Sequence, residues 1–211
     1  MSEIPVEILD RVRACKVVPV ITIKNVDDAL PLANALIAGG IDILEVTLRT
    51  DCALEAIRVM ANAGLDALIG AGTITTAEDV VAARDAGAEF LVTPGTSPAL
   101  IPALKAFGGP VFPGVASVSE ALHLRDEGFY VQKFFPAEAA GGAAFLKSIA
   151  SPISDISFMP TGGISAGNAA AYLKLPNVLA VGGSWIVPSD HVASGKWDQI
   201  TELCVAARQI V

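Results

Sequence analysis

Eight apolar runs of strand length, separated by helix-like stretches that stop at glycine, predict an α/β fold of the (β/α)8 TIM-barrel class. The composition agrees. Of 211 residues 53% are hydrophobic but only 6% aromatic, which favours Val, Ile, Leu and Ala strands buried on both faces. The third observation is spacing: from Val17 to Val178 the runs recur at a mean interval of about 23 residues, close to one short strand, one helix and two turns.

In chain order, residues 3–14 are expected to form a helix that caps the bottom of the barrel. The runs then begin at Val17 (VVPVITI), Ile43 (ILEVTL), Leu68 (LIGAGT), Phe90 (FLVTPG), Val111 (VFPGV), Tyr130 (YVQKFFP), Ser157 (SFMPTGG) and Val178 (VLAVGGS). Gly40, Gly64, Gly87, Gly109 and Gly128 precede five of them, as helix C-caps do. Helix starts are marked by capping boxes at Thr75–Glu78 and Ser117–Glu120, and by Ser97-Pro98, which places proline in a first helical turn. Residues 197–210 are read as a closing helix. An open doubly wound sheet is the structural rival, but it usually carries a glycine-rich phosphate loop after its first strand, and VVPVITIKN has no glycine. No linker or low-complexity stretch divides the chain, so residues 1–211 are expected to form a single domain.

Charge narrows the function classes. Fourteen basic against 22 acidic residues give a net charge of −8, well mixed along the chain, with no basic face for nucleic acid. An anionic ligand would therefore be held by a local device, such as a helix N-terminus or a placed Arg. The start MSEIPVEILD is acidic and lacks a signal peptide's apolar run, and no uncharged run approaches a membrane span, so a cytoplasmic protein without membrane contact is expected. Cys15, Cys52 and Cys204 are an odd number without close spacing or a neighbouring His, and are read as small apolar residues. His123 and His191 lack partners at metal-ligand spacing, so no metal is expected. Trp185 and Trp197 are read as packing or interface residues.

In a (β/α)8 barrel chemistry gathers at the C-terminal strand ends, and few polar residues interrupt the apolar runs there. In ILEVTLR, Glu45, Thr47 and Arg49 share one face while Leu44, Val46 and Leu48 share the other. The apolar face must meet the helices, which turns Glu45 inward. A carboxylate there is costly unless paired, for instance with Arg49, or used as a proton shuttle. In YVQKFFP, Lys133 lies between Val131 and Phe135. Lysine is rarely fully buried, and desolvation favours the neutral amine that Schiff-base chemistry needs. Lys105, Lys147 and Lys174 fall in predicted helices, Lys196 in a late loop and Lys16 before a strand; Lys24 is the one competitor.

The last two runs end in glycine pairs, PTGG (Thr161, Gly162, Gly163) and VGGS (Gly182, Gly183, Ser184). Glycine lets a ligand approach the backbone, and phosphate sites in such barrels occupy the loops after strands seven and eight.

The segments VVPVI, AGGIDILEVTLRT, IGAGTI, FLVTPG, KFFPAE, PTGGIS and VGGSWIVP together resemble the class I 2-keto-3-deoxy-6-phosphogluconate (KDPG) and 2-keto-4-hydroxyglutarate (KHG) aldolases, in order from about Val17 to Pro188. The resemblance implies a homotrimeric (β/α)8 aldolase that uses neither metal nor cofactor and acts on a phosphorylated keto acid. It places the Schiff-base lysine at Lys133 and the acid/base glutamate at Glu45. It places the carboxylate ligands at Arg49 and Thr73, the phosphate contacts at Gly162, Gly163, Gly183 and Ser184, and pocket walls at Pro94, Phe135 and Thr161. Ala140 and Ala116 depart from the pattern, where an Asn and a hydroxyl residue are common, and bear on substrate preference. A phosphosugar isomerase or epimerase, or a non-catalytic phosphate-binding barrel, would use the same glycines but leave Lys133 beside a buried glutamate unexplained.

Overall fold

Strands form where the apolar runs predict them because both of their faces find cover. In the structure, a computed structural model describing residues 4–210, β1 (Val17–Ile21) and β2 (Ile43–Thr47) are buried at every position. The same holds for β4 (Phe90–Val92) and β7 (Val131–Phe134), while β3 (Leu68–Gly72) and β8 (Ser157–Pro160) are buried at all but their first residue. Alternating helices lie outside and supply the second layer.

The fifth run is broken. Pro113 has no N–H to give to a ladder, and it separates β5 (Val111–Phe112) from β6 (Gly114–Val115). Each fragment serves a different neighbour: β5 pairs with β4, and β6 with β7. The eighth run starts later than expected, as β9 (Val181–Gly183), and its Val178 makes only a single parallel bridge to Phe158. All pairing is parallel, in a six-stranded sheet ordered β5-β4-β3-β2-β1-β9 and a three-stranded sheet ordered β6-β7-β8. A second bridge joins Thr161, just past β8, to Gly182 of β9.

The helices are α1 (Val6–Cys15), α2 (Ala29–Ala38), α3 (Ala53–Ala61), α4 (Ala77–Asp85), α5 (Ile101–Ala106), α6 (Val118–Asp126), α7 (Gly142–Ile149), α8 (Ala169–Leu173), α9 (Ser189–Ala193) and α10 (Trp197–Arg208). Helix α1 begins after Pro5, later than the predicted start at Glu3, which lies outside the described residues. Arg11 pairs with Asp42 at 2.8 Å and so ties α1 to the N-terminal end of β2. Helix α10 packs on α2, where Thr201 Oγ1 donates to the Ala35 carbonyl.

Three predicted boundaries move. The capping box of α4 uses Thr76 and Asp79, one residue beyond the Thr75–Glu78 pair: the Asp79 N–H donates to Thr76 Oγ1, and the Thr76 N–H returns to Asp79 Oδ2. Ser97-Pro98 opens a turn, and α5 starts at Ile101 with Pro102 in its first turn. After α5 the positive φ falls on Gly108, not Gly109, whereas Gly40, Gly64, Gly87 and Gly128 behave as expected. The Ser117–Glu120 box forms as predicted.

Candidate active site

Glu45 and Lys133 stand on strands of different sheets, 88 residues apart in sequence, yet Lys133 Nζ donates to Glu45 Oε1 at 3.2 Å. The inner faces of the two sheets therefore face each other across this contact. Lys133 is 3% exposed and Glu45 fully buried. Lys133 Nζ also lies 5.5 Å from the centroid of the Phe135 ring. The Glu45–Arg49 pair considered from the sequence does not form; the partner of Glu45 is Lys133. The second carboxylate oxygen, Oε2, is buried without a hydrogen-bond partner among the described residues. Burying a lysine and a carboxylate together is costly compared with well-packed apolar side chains, so structural need alone is a weak reason for the pair.

Gly72 makes room for that carboxylate. A methyl group at Gly72 would overlap Glu45 Oε1, which fills the space beside the glycine. This residue was missed as a site residue, although a glycine inside a strand run (GAGT) is the ordinary signal of close approach. The next residue, Thr73, has φ +64°, a left-handed conformation rarely adopted by a β-branched residue. In that conformation Thr73 Oγ1 accepts from Arg49 Nε at 3.1 Å. The exposed Arg49 guanidinium has no carboxylate partner among the described residues.

The remaining candidates fall into two groups. Thr161 is 6% exposed, with Oγ1 buried and unpartnered against Gly182. Gly162 and Gly163 follow with φ of +102° and +76°, and Gly162 lies against the Phe135 ring. Their carbonyls are taken: the Glu138 N–H donates to Gly162 at 3.1 Å and Asn168 Nδ2 to Gly163 at 3.1 Å. Their N–H groups have no acceptor among the described residues, which is what an anion-receiving backbone requires. Pro94 reaches the site through Gly114, the register partner of Lys133, whose missing side chain admits the Pro94 backbone. The Gly182–Thr161 bridge joins Gly183 and Ser184 to this cluster; the open side of Gly183 is occupied by the Trp185 ring, and Ser184 is exposed.

Cys15 and Cys204 are buried, and burial pushes both thiols up to about 12, so they remain protonated near neutral pH. Cys15 Sγ donates to Asp42 Oδ1 at 2.9 Å. No three His, Cys, Asp or Glu residues cluster in metal-binding fashion among the described residues, and no described helix is long and apolar enough to cross a membrane.

An α/β protein with a lysine–carboxylate pair buried between its sheets, beside a glycine loop with free N–H groups, has the parts of an enzyme that works on an anionic carbonyl substrate. Comparison with known proteins narrows this class. A family model described as "KDPG and KHG aldolase" matches residues 8–203, and the chain belongs to this aldolase family. A 2-dehydro-3-deoxy-phosphogluconate aldolase of Pseudoalteromonas atlantica is 51% identical over 191 residues, 90% of this chain and 89% of the relative. The KHG/KDPG aldolase of Escherichia coli is 46% identical over 187 residues, 89% of this chain and 88% of the relative. Among solved structures, the KDPG aldolase of Legionella pneumophila, with pyruvate captured at low pH as a covalent carbinolamine intermediate, superposes with a TM-score of 0.92. It is 48% identical, over 94% of this chain and 97% of that one.

Proposed function

We propose that this protein is a metal-independent class I aldolase that cleaves KDPG to pyruvate and glyceraldehyde 3-phosphate, and KHG to pyruvate and glyoxylate. The single observation that carries this reading is the 3.2 Å contact between Lys133 Nζ and Glu45 Oε1 in a nearly solvent-free interior. In its neutral form, Lys133 attacks the substrate ketone, and loss of water leaves a protonated Schiff base. That cation is the electron sink: the carbon–carbon bond next to the hydroxyl-bearing carbon breaks, its electron pair passes into the enamine, and the aldehyde leaves. Glu45 takes the hydroxyl proton, through a water, and later returns a proton to the enamine carbon. Hydrolysis of the iminium then releases pyruvate. No metal or organic cofactor enters these steps.

Arg49 and Thr73 are assigned to the pyruvyl carboxylate. The planar guanidinium can bind it with two parallel hydrogen bonds. Gly162, Gly163, Gly183 and Ser184 are assigned to the phosphate, with Pro94, Phe135 and Thr161 as pocket walls. The free N–H groups of Gly162 and Gly163 support this assignment. Holding both ends of the substrate sets its ketone over Lys133, and such positioning supplies a large part of a barrier reduction.

The same reading takes the two sheets as parts of one closed (β/α)8 barrel in a single domain spanning residues 1–211. The fifth run, shared by both sheets, and the Phe158–Val178 and Thr161–Gly182 bridges support closure. A homotrimer is what the family resemblance implies. The test of function is pyruvate release, followed continuously with KDPG and with KHG as substrates and repeated with a chelator present. Chelator-insensitive release is expected; no release from either substrate would overturn the proposal.

A further inference from the structure

The motif KFFPAE contains one charged residue that the reaction scheme does not use. Glu138 follows β7, and its backbone N–H donates to the Gly162 carbonyl, while the Ala137 N–H donates to the Thr161 carbonyl at 2.8 Å. The Glu138 Cβ and Cγ lie 2.8 and 2.7 Å from where a Gly163 side chain would begin, so the glutamate stem lies directly against the glycine pair. The carboxylate does not point at those glycines' N–H groups. Its Oε1 accepts a hydrogen bond from the Tyr172 hydroxyl, and Tyr172 is 1% exposed on α8. Burial, and next the Glu138 carboxylate, raise the Tyr172 pKa, so the phenol stays a donor across the working pH range. Gly142 borders the contact: a side chain there would begin 3.4 Å from the Tyr172 hydroxyl and 3.5 Å from Glu138 Oε1.

We propose that Tyr172 and Glu138 form a clamp that positions the Gly162–Gly163 backbone for the phosphate of the substrate and holds the Glu138 charge away from it. This rests on the reading above that these glycines receive the phosphate. Two effects combine. The clamp fixes the glutamate stem that packs under Gly163, and with it the carbonyl–amide contact that turns the Gly162 N–H free. It also keeps an anion engaged with a donor next to a dianion site, where a loose carboxylate would repel the ligand. Tyr172 and Glu138 are positioning residues, since neither reaches the reacting carbon in this account.

The experiment compares wild type, Tyr172→Phe, Glu138→Ala, Glu138→Gln and Tyr172→Phe/Glu138→Gln in the full chain. Calorimetry reads inorganic phosphate binding, and KM is measured for KDPG and for the unphosphorylated KHG. Tyr172→Phe is expected to weaken phosphate and raise the KDPG KM by about fivefold or more, the scale of one lost hydrogen bond, with KHG KM and both kcat values within about twofold. Glu138→Gln keeps the stem and an acceptor for the hydroxyl and removes the charge, so it should stay near wild type. In the double variant it should recover the part of the Tyr172→Phe defect that comes from charge. Glu138→Ala, which removes the stem under Gly163, should weaken phosphate. Unchanged phosphate affinity in Tyr172→Phe and Glu138→Ala, or equal loss toward both substrates, overturns the clamp. Glu138→Ala alters an exposed side chain and keeps the test open where the buried substitution fails to fold. A wild type that binds phosphate yet releases no pyruvate would overturn the aldolase reading while leaving the clamp to the calorimetry.

Discussion

Two Lys–Glu pairs in this molecule have the same chemistry and opposite settings. Lys105 at the end of α5 meets Glu127 just past α6 on the surface, with their side chains 37% and 35% exposed. Lys133 meets Glu45 in the interior, at 3% and 0%. The surface pair gives up little hydration, and its attraction is screened; the Lys105 hydrogen bond, and next its charge, hold the Glu127 carboxyl below the usual carboxylate range. The interior pair has surrendered nearly all its water, makes one contact, and leaves Glu45 Oε2 without a partner. A pair so placed is a poor way to stabilise a fold, because well-packed apolar side chains would serve as well or better. The comparison teaches that one pair of residue types is cheap to keep at the surface and costly to keep in the interior, which makes the interior pair the one whose substitution is informative.

Substitutions sharpen the contrast, beginning with the largest effect. Lys133→Ala should lower kcat/KM by about 10⁴-fold or more, since the covalent step has no substitute. Steady-state pyruvate release measures this, and activity within tenfold of wild type would mean the interior pair is structural. Glu45→Gln should lower kcat by about 10²- to 10⁴-fold while pyruvate still forms an adduct with Lys133, because the proton shuttle is lost but the nucleophile is not. Gly72→Ala inserts a methyl where Glu45 Oε1 sits and should cost about 10²-fold in kcat through misplacement alone, with circular dichroism unchanged. Lys105→Ala should leave kcat/KM within about twofold.

The exposed pair also makes a pH statement. Because the folded Glu127 pKa is lowered, its contribution is present above the ordinary carboxylate range and is lost as the pH falls through the lowered value. In Lys105→Ala, an NMR titration should find the Glu127 carboxyl moved back up toward that range.

Much of this was legible in the sequence where physics leaves few alternatives. Polar residues inside apolar strand runs are costly, so Glu45 and Lys133 stood out before any fold was known. The glycine pair after the seventh run marked a loop with free N–H groups in the same way, whereas Gly182 and Gly183 lie inside β9. Boundaries were harder. Thr75 and Thr76 are each followed three residues later by an acid, Glu78 or Asp79, and only the chain path decides that the second pair caps the helix. Pro113 was visible inside its run, but that it divides one run between two sheets depends on both neighbours. The sequence offers Arg49 in the same strand as one possible partner of Glu45 and is silent on Lys133 in that role, because a contact between sheets leaves no trace in local periodicity. The Glu138–Tyr172 contact lay beyond reach for the same reason: 34 residues separate a loop carboxylate from a helix phenol, and no spacing rule joins them.

The central claim is that Lys133 forms the covalent bond, and borohydride reduction of the wild-type protein with pyruvate, followed by peptide mass analysis, tests it most directly. The account predicts a reduced pyruvyl adduct on the peptide carrying Lys133, present in Glu45→Gln and absent in Lys133→Ala. An adduct on Lys24 instead, or no adduct on any lysine, would contradict it.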